Sequence, residues 1–259
     1  MSRKTGFFLF IVILALGAGA YYLSRTPGPP PPQESTLAGV TVRGYGPDGK
    51  PSWEVQAQQG KTETDGGELE DVVIVLHGDN EVTLKAARLS FHGDQARLSG
   101  GIEARLGKDG VLKTDELVWK KDTGDLSGEK VRITFAAGSV AAQGFSYSQK
   151  SGTLSLTGGV EAEIHDPKVI HASAPAAAYA DGRVELSEGV EITAGGERYR
   201  CASARYGNGK VVLSGGVEGT LSSGTIAAEE ITVDEAGTVA SSKVELRLGS
   251  EFFGGKDGA

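Results

Sequence analysis

The sequence predicts an all-β protein whose short strands bend over an apolar centre and repeat along an axis. Three observations carry this reading. Glycine is very frequent, 39 residues in 259, and it is spread among Val, Leu, Thr and Ser, a composition of short strands joined by tight turns. A pattern of apolar and small residues returns every 27 to 30 residues. Inside each copy the two-residue alternation of a strand slips by one position.

The chain starts with a segment of a different kind. Arg3 and Lys4 precede an apolar run from Phe7 to Leu23, and Arg25 follows. Seventeen residues at a helical rise of about 1.5 Å span about 25 Å, the lower limit for a bilayer core. Two readings stay open on the residues alone. One is an uncleaved anchor with its basic tip in the cytoplasm and Tyr21 and Tyr22 at the outer interface. The other is a secretory signal cleaved at Ala18-Gly19-Ala20. No cysteine follows the run, which excludes a lipoprotein, and under either reading the chain after Arg25 is exported. Pro27-Gly28-Pro29-Pro30-Pro31-Pro32 then favours an extended polyproline segment. It reads as a linker, or as a spacer holding a domain off a membrane. The expected organisation is a tip and anchor over 1–25, a linker over 26–36, a repeat domain over 37–250 and a tail over 251–259.

The repeat is clearest in Leu84-Lys85-Ala86-Ala87-Arg88-Leu89-Ser90-Phe91 beside Leu112-Lys113-Thr114-Asp115-Glu116-Leu117-Val118-Trp119. Both read apolar, any, small, any, any, apolar, any, aromatic. Val140, Ala142, Phe145 and Tyr147 repeat it, as do Tyr199, Cys201, Ala204 and Tyr206, and Ile226, Ala228, Ile231 and Val233. Val55 and Ala57 after Trp53 begin the series, and a looser copy with a two-residue insertion runs from Ile170 through Ala172 to Tyr179. Ala174 to Ala180 contains Pro175 and reads as irregular strand. Leu84 and Ala86 share one face, and so do Leu89 and Phe91, yet the pairs are out of step, because Ala86 and Leu89 are three residues apart. One bulge or bend per repeat returns both to the same interior.

A second element alternates with the first: Leu98-Ser99-Gly100-Gly101-Ile102, Leu126-Ser127-Gly128-Glu129-Lys130-Val131, Leu156-Thr157-Gly158-Gly159-Val160, Leu186-Ser187-Glu188-Gly189-Val190 and Leu213-Ser214-Gly215-Gly216-Val217. Its glycines supply the positive φ of a turn or a bulge. Each repeat is therefore about two strands. Asp65-Gly66, Asp109-Gly110 and Asp181-Gly182 are turn signals.

Composition narrows the function. A net charge of −8 repels phosphate backbones, which argues against nucleic acid. Cys201 has no partner for a disulfide, occupies the small position of the repeat, and reads as a buried inert thiol. His77, His92, His165 and His171 are scattered, with only the weak His165/His171 pair near metal-ligand spacing. No nucleophile elbow, P-loop or dinucleotide fingerprint is present. The expectation is a protein that is not an enzyme and has no cofactor or metal.

The order of these parts resembles a known family. The apolar segment, the linker, Trp53-Glu54-Val55-Gln56-Ala57, the run Leu69-Glu70-Asp71-Val72-Val73-Ile74-Val75-Leu76, the Leu-Lys-Ala/Thr repeats and the Leu-Ser/Thr-Gly-Gly-Val elements resemble the LptC-like periplasmic components of lipopolysaccharide transport. The resemblance covers about residues 1–165. Residues 166–250 resemble further repeats of the LptA/OstA-like bridge proteins, a departure from the family's usual length. The resemblance implies an antiparallel, folded-over β-jellyroll open along one side. It implies lipid A acyl chains inside and sugars in water, and an uncleaved anchor in the inner membrane with the bulk of the chain in the periplasm. It implies two protein partners, the inner-membrane lipopolysaccharide ABC exporter and a periplasmic LptA-like bridge protein.

Under that reading Leu84, Leu89, Phe91, Leu112, Leu117, Trp119, Phe145, Tyr147 and Tyr206 line a lipid groove; the plainer reading is a closed core. Trp53 is an end plug or ordinary edge packing. Val40–Arg43 and Lys243–Leu248 are candidate edge strands, with Val40, Val42, Val244 and Leu246 available for strand addition by partners. The competing reading is a structural or adhesive parallel β-helix, whose rungs have a similar length. The direction of strand pairing separates the two.

Overall fold

The computed structural model describes residues 35–45, 49–63, 66–77, 81–106, 110–120, 122–148, 150–165, 169–181, 183–208, 210–234 and 239–248. The apolar segment, the proline linker as far as residue 34 and the C-terminal tail lie outside these residues. Among the described residues no helix is long and apolar enough to cross a membrane. The described residues fall into two compact units, one within 35–136 and 141–154 and one within 137–140 and 155–248.

The first unit holds β1 (Ser35–Tyr45), β2 (Pro51–Glu63), β3 (Gly66–Leu76), β4 (Val82–His92), β5 (Gln95–Leu106), β6 (Gly110–Lys120), β7 (Leu126–Phe135) and most of β8 (Gly138–Ser148). From β1 to β7 each strand pairs antiparallel with the next. The second unit holds most of β9 (Thr153–Ile164), then β10 (Ile170–Ala180), β11 (Arg183–Ser187), β12 (Val190–Ala194), β13 (Glu197–Cys201), β14 (Ser203–Gly207), β15 (Lys210–Leu221), β16 (Gly224–Asp234), β17 (Val239–Ser242) and β18 (Glu245–Leu248). Its registers are antiparallel as well. A parallel β-helix needs parallel neighbours, so antiparallel pairing removes that architecture.

Every strand of the first unit changes phase at one level. On β5 Ser99 faces Glu116 and Ile102 faces Thr114, so Gly100 and Gly101 bulge opposite Asp115 alone. Their φ values of 87° and 79° are ones that only glycine adopts without strain. The repeated Gly-Gly is thus a bulge inside a strand; the turns lie elsewhere, at His92–Gln95 for example. On β3 and β7 a single left-handed residue, Asp71 or Lys130, does the same work. The second unit repeats the device with Gly215 and Gly216 on β15. Gly158 and Gly159 on β9 do the same, and two other runs break into two strands at the bend, at Glu188-Gly189 between β11 and β12 and at Ala202 between β13 and β14. Pro175 sits at the same level of β10, between the register pairs Ser173–Glu191 and Ala176–Ser187. Pairing with β11 and β12 is interrupted there, which accommodates its missing N–H on that side.

This aligned line of bulges is a crease. A single-layered sheet buries side chains on both sides of a crease only by closing one arm over the other. The second unit shows the result directly. Val190, Cys201, Val217 and Ala228 from one side of the bend and Ala204, Leu213 and Ile231 from the other form one buried cluster. The small position of the repeat follows from the crease. Ala57, Ala86, Thr114, Ala142, Cys201 and Ala228 are all buried there, where converging arms leave no room for a larger side chain. Thr114 is the polar member. Its hydroxyl lies 2.5 Å from the Glu129 carbonyl and 3.0 Å from that of Glu116, which satisfies it beside the bend.

Candidate functional site: an apolar interior lined by cross-strand ladders

The register assembles the expected residues of the first unit into ladders that cross the strands. One arm carries Leu69, Leu89, Leu98 and Leu117 as successive partners on β3 to β6. The next row toward the strand ends is Gly67, Phe91, Ala96, Trp119 and Leu126 on β3 to β7. The other arm carries Val55, Ile74, Leu84, Ala104, Leu112 and Ile133 on β2 to β7. Leu84, Leu89, Leu117, Trp119, Phe145 and Tyr147 are buried, and Phe91 and Leu112 are half-buried. Tyr206 of the second unit stands apart, with 39% of its surface exposed.

The interior also uses residues that the repeat reading passed over. Leu98 and Ile102, each 1% exposed, flank the Gly-Gly bulge of β5, and Leu126 and Val131 flank the bend of β7. Both pairs stand in the second repeated element. Their signal was in plain view, masked by the alternative of a turn at those glycines. Inward glycines are a second feature. Where a side chain of Gly67 would stand, the Phe91 ring lies 2.6 Å away; Phe145 covers Gly128 and Trp53 covers Gly44 in the same manner. Each ring fills the space of a missing side chain on the neighbouring strand, so Trp53 is packed and buried over β1.

The outer faces are charged. Arg88 and Glu68 are 2.8 Å apart, Lys113 and Glu103 3.3 Å, and Arg97 and Glu116 3.4 Å. Such exposed pairs contribute little to stability, because water screens them. Their side-chain bonds still hold carboxylates low: Lys113 lowers Glu103, and Arg200 lowers Glu191 in the second unit. In the interior the shifts reverse, because burial disfavours the charged form. It raises the phenol of Tyr147 and the thiol of Cys201. Tyr199 is pushed up to about 12 by burial and by donating a 2.8 Å hydrogen bond to Glu197 Oε2.

His165 Nε2 and His171 Nδ1 both lie on Glu163, at 2.8 Å and 3.4 Å, and all three are well exposed. Among the described residues no group of three or more His, Cys, Asp and Glu side chains is arranged to hold a metal. Of the expected edge residues, Val40 and Val42 on β1 are half-buried. Val244, just before β18, and Leu246 on it are exposed. The register of β1 runs against β2, and those of β17 and β18 against β16.

Antiparallel strands creased within each unit, apolar within and charged without, define a folded-over β protein whose candidate site is its interior. The family described as "Lipopolysaccharide-assembly, LptC-related" matches residues 9–166, more than half of the chain. The chain belongs to that family, and its role lies in lipopolysaccharide assembly. No curated protein matches it. Among solved structures it is similar to LptH, the LptA-homologous periplasmic component of the lipopolysaccharide transport device from Pseudomonas aeruginosa. That match has 12% identity, covers 55% of this chain and 96% of the other, and has a TM-score of 0.34.

Proposed function

We propose that the chain is a membrane-anchored bridge component that receives lipopolysaccharide from an inner-membrane ABC exporter and passes it toward the outer membrane. The supporting observation is the crease. It puts the apolar ladders of both arms on one interior face and leaves the charged side chains in water. A lipid crossing an aqueous compartment needs that division, since each exposed methylene costs about 0.8 kcal/mol. The arms pack against each other, so acyl chains enter by parting them along the strand ends while the sugars stay outside. Phe7–Leu23 serves as an uncleaved inner-membrane anchor, which sets the rest of the chain in the periplasm.

Docking uses the sheet edges. The exporter adds at β1, through the backbone beside Val40 and Val42. An LptA-like bridge protein adds at β18, beside Val244 and Leu246, by antiparallel strand addition. Catalysis has no place in this scheme, and the energy comes from the exporter.

The test is a photo-crosslinking amino acid at Leu117 in living cells, with Lys113 on the outer face as control. Lipopolysaccharide adducts at Leu117 and none at Lys113 are expected. A folded, anchored protein with no adduct at Leu117 identifies a closed core and defeats the proposal.

A further inference from the structure

We infer that the Trp119 indole N–H hydrogen-bonds the ester or amide carbonyl of a bound acyl chain, setting how deep the chain sits; this rests on the lipid-carrying reading above. Trp119 is the last inward residue of β6, one position before the strand ends at Lys120. The crease lies at Asp115, so Trp119 stands about 13 Å from it along an extended strand, near the lip where chains enter. Its side chain is 97% buried, being 3% exposed, and its Nε1 is out of water with no hydrogen-bond partner.

An indole nitrogen can only donate. The flanking members of its row, Phe91, Ala96 and Leu126, carry no side-chain acceptor. A buried donor left unmet is unfavourable, so an arriving acceptor gains by meeting it. The position suits a ligand that is apolar on one side and polar on the other, as a tryptophan itself is. Two acceptors fit such a lipid in principle, a phosphate and an acyl carbonyl. The row around Trp119 is apolar, and burying a phosphate charge there is far more costly than burying a neutral carbonyl, which leaves the carbonyl as the acceptor. Phe91, at the equivalent position of the preceding repeat, offers a ring without a donor.

Trp53 and Trp119 are the chain's two tryptophans, so the indole ¹⁵N–¹H spectrum of the full chain has two signals. Trp119→Phe assigns them and keeps an aromatic ring that the repeat already tolerates. The chain is held in dodecyl maltoside, which has no carbonyl, and titrated with lipopolysaccharide, a diacyl phosphatidylethanolamine or its dialkyl-ether analogue. Downfield movement of the Trp119 signal is expected with the first two and not with the ether lipid. Trp119→Phe is expected to weaken binding of the diacyl lipid about two- to tenfold and to leave ether-lipid binding unchanged. Equal movement with ester and ether lipids, or equal losses in the variant, overturns the hydrogen bond while the lipid-carrying reading stands. Failure of all three lipids to bind overturns both.

Discussion

Cys201 and Tyr199 share the interior of the second unit, and each reports on it differently. The Cys201 thiol donates to the Ser203 carbonyl at 3.2 Å and its pKa is raised, chiefly by burial. A thiol that resists ionisation and is screened from solvent reacts slowly. Labelling by a disulfide reagent is therefore expected to follow unfolding, with negligible reaction in the native chain; rapid native labelling contradicts the packing described here. Tyr199 has its pKa raised from 10.0 to about 12. The folded state holds this proton more tightly than the unfolded chain does. Its contribution to stability is complete below pH 10 and is lost as pH rises toward about 12. Thermal melts of wild type and Tyr199→Phe should converge over that window, because only the wild type has this stabilisation to lose. Parallel curves refute the assignment.

The bulge is the element on which the fold turns. Gly101 has φ near +79° with open space where a side chain would stand, whereas Gly100 at +87° also faces the Ala87 Cβ at 2.5 Å. Gly101→Ala should cost about 1–2 kcal/mol, the price of left-handed backbone alone. Gly100→Ala should cost distinctly more, since Ala87 must also shift. Urea unfolding measures both, and equal losses show that the bend tolerates the contact. Gly215 meets Ala202 in the same way at 2.6 Å, so the pair of substitutions there should rank identically. The crowding at the crease gives a matching expectation. Ala86→Leu inserts three heavy atoms where the arms converge and should destabilise by about 1–3 kcal/mol.

At the scale of the whole molecule, the proposed function asks the interior of the first unit to serve transport as well as stability. Leu117 is buried among Leu98, Trp119 and the Gly128 backbone, and a carboxylate there has no partner. Cells that depend on Leu117→Asp should lose lipopolysaccharide at the outer membrane even where the variant accumulates to normal levels. Normal export at normal protein levels sinks the groove reading. The family match ends at residue 166, and the second unit has a bend of its own at Glu188-Gly189 and Gly215-Gly216 with its own buried cluster. The second unit, taken by itself, therefore uses the same folding device outside most of the segment that the family match covers.

Local chemistry is what the sequence determined by itself. Alternation of Leu84, Ala86, Leu89 and Phe91 with a three-residue slip requires a bend, whatever the neighbours are, because side chains on a strand alternate strictly. The small position at Ala86, Thr114 and Cys201 was equally legible, as a repeated size limit. Pairing direction was not, since parallel and antiparallel strands show the same alternation and differ only in which distant backbone they bond. Whether Gly100-Gly101 ends a strand or bulges within it depends on Asp115 across the ladder, a partner fourteen or more residues away in the chain. The same long-range register put Leu98 and Ile102 deep in the interior and left Tyr206 exposed. Tertiary structure decided these points because burial belongs to the closed pair of arms, and no single strand contains both.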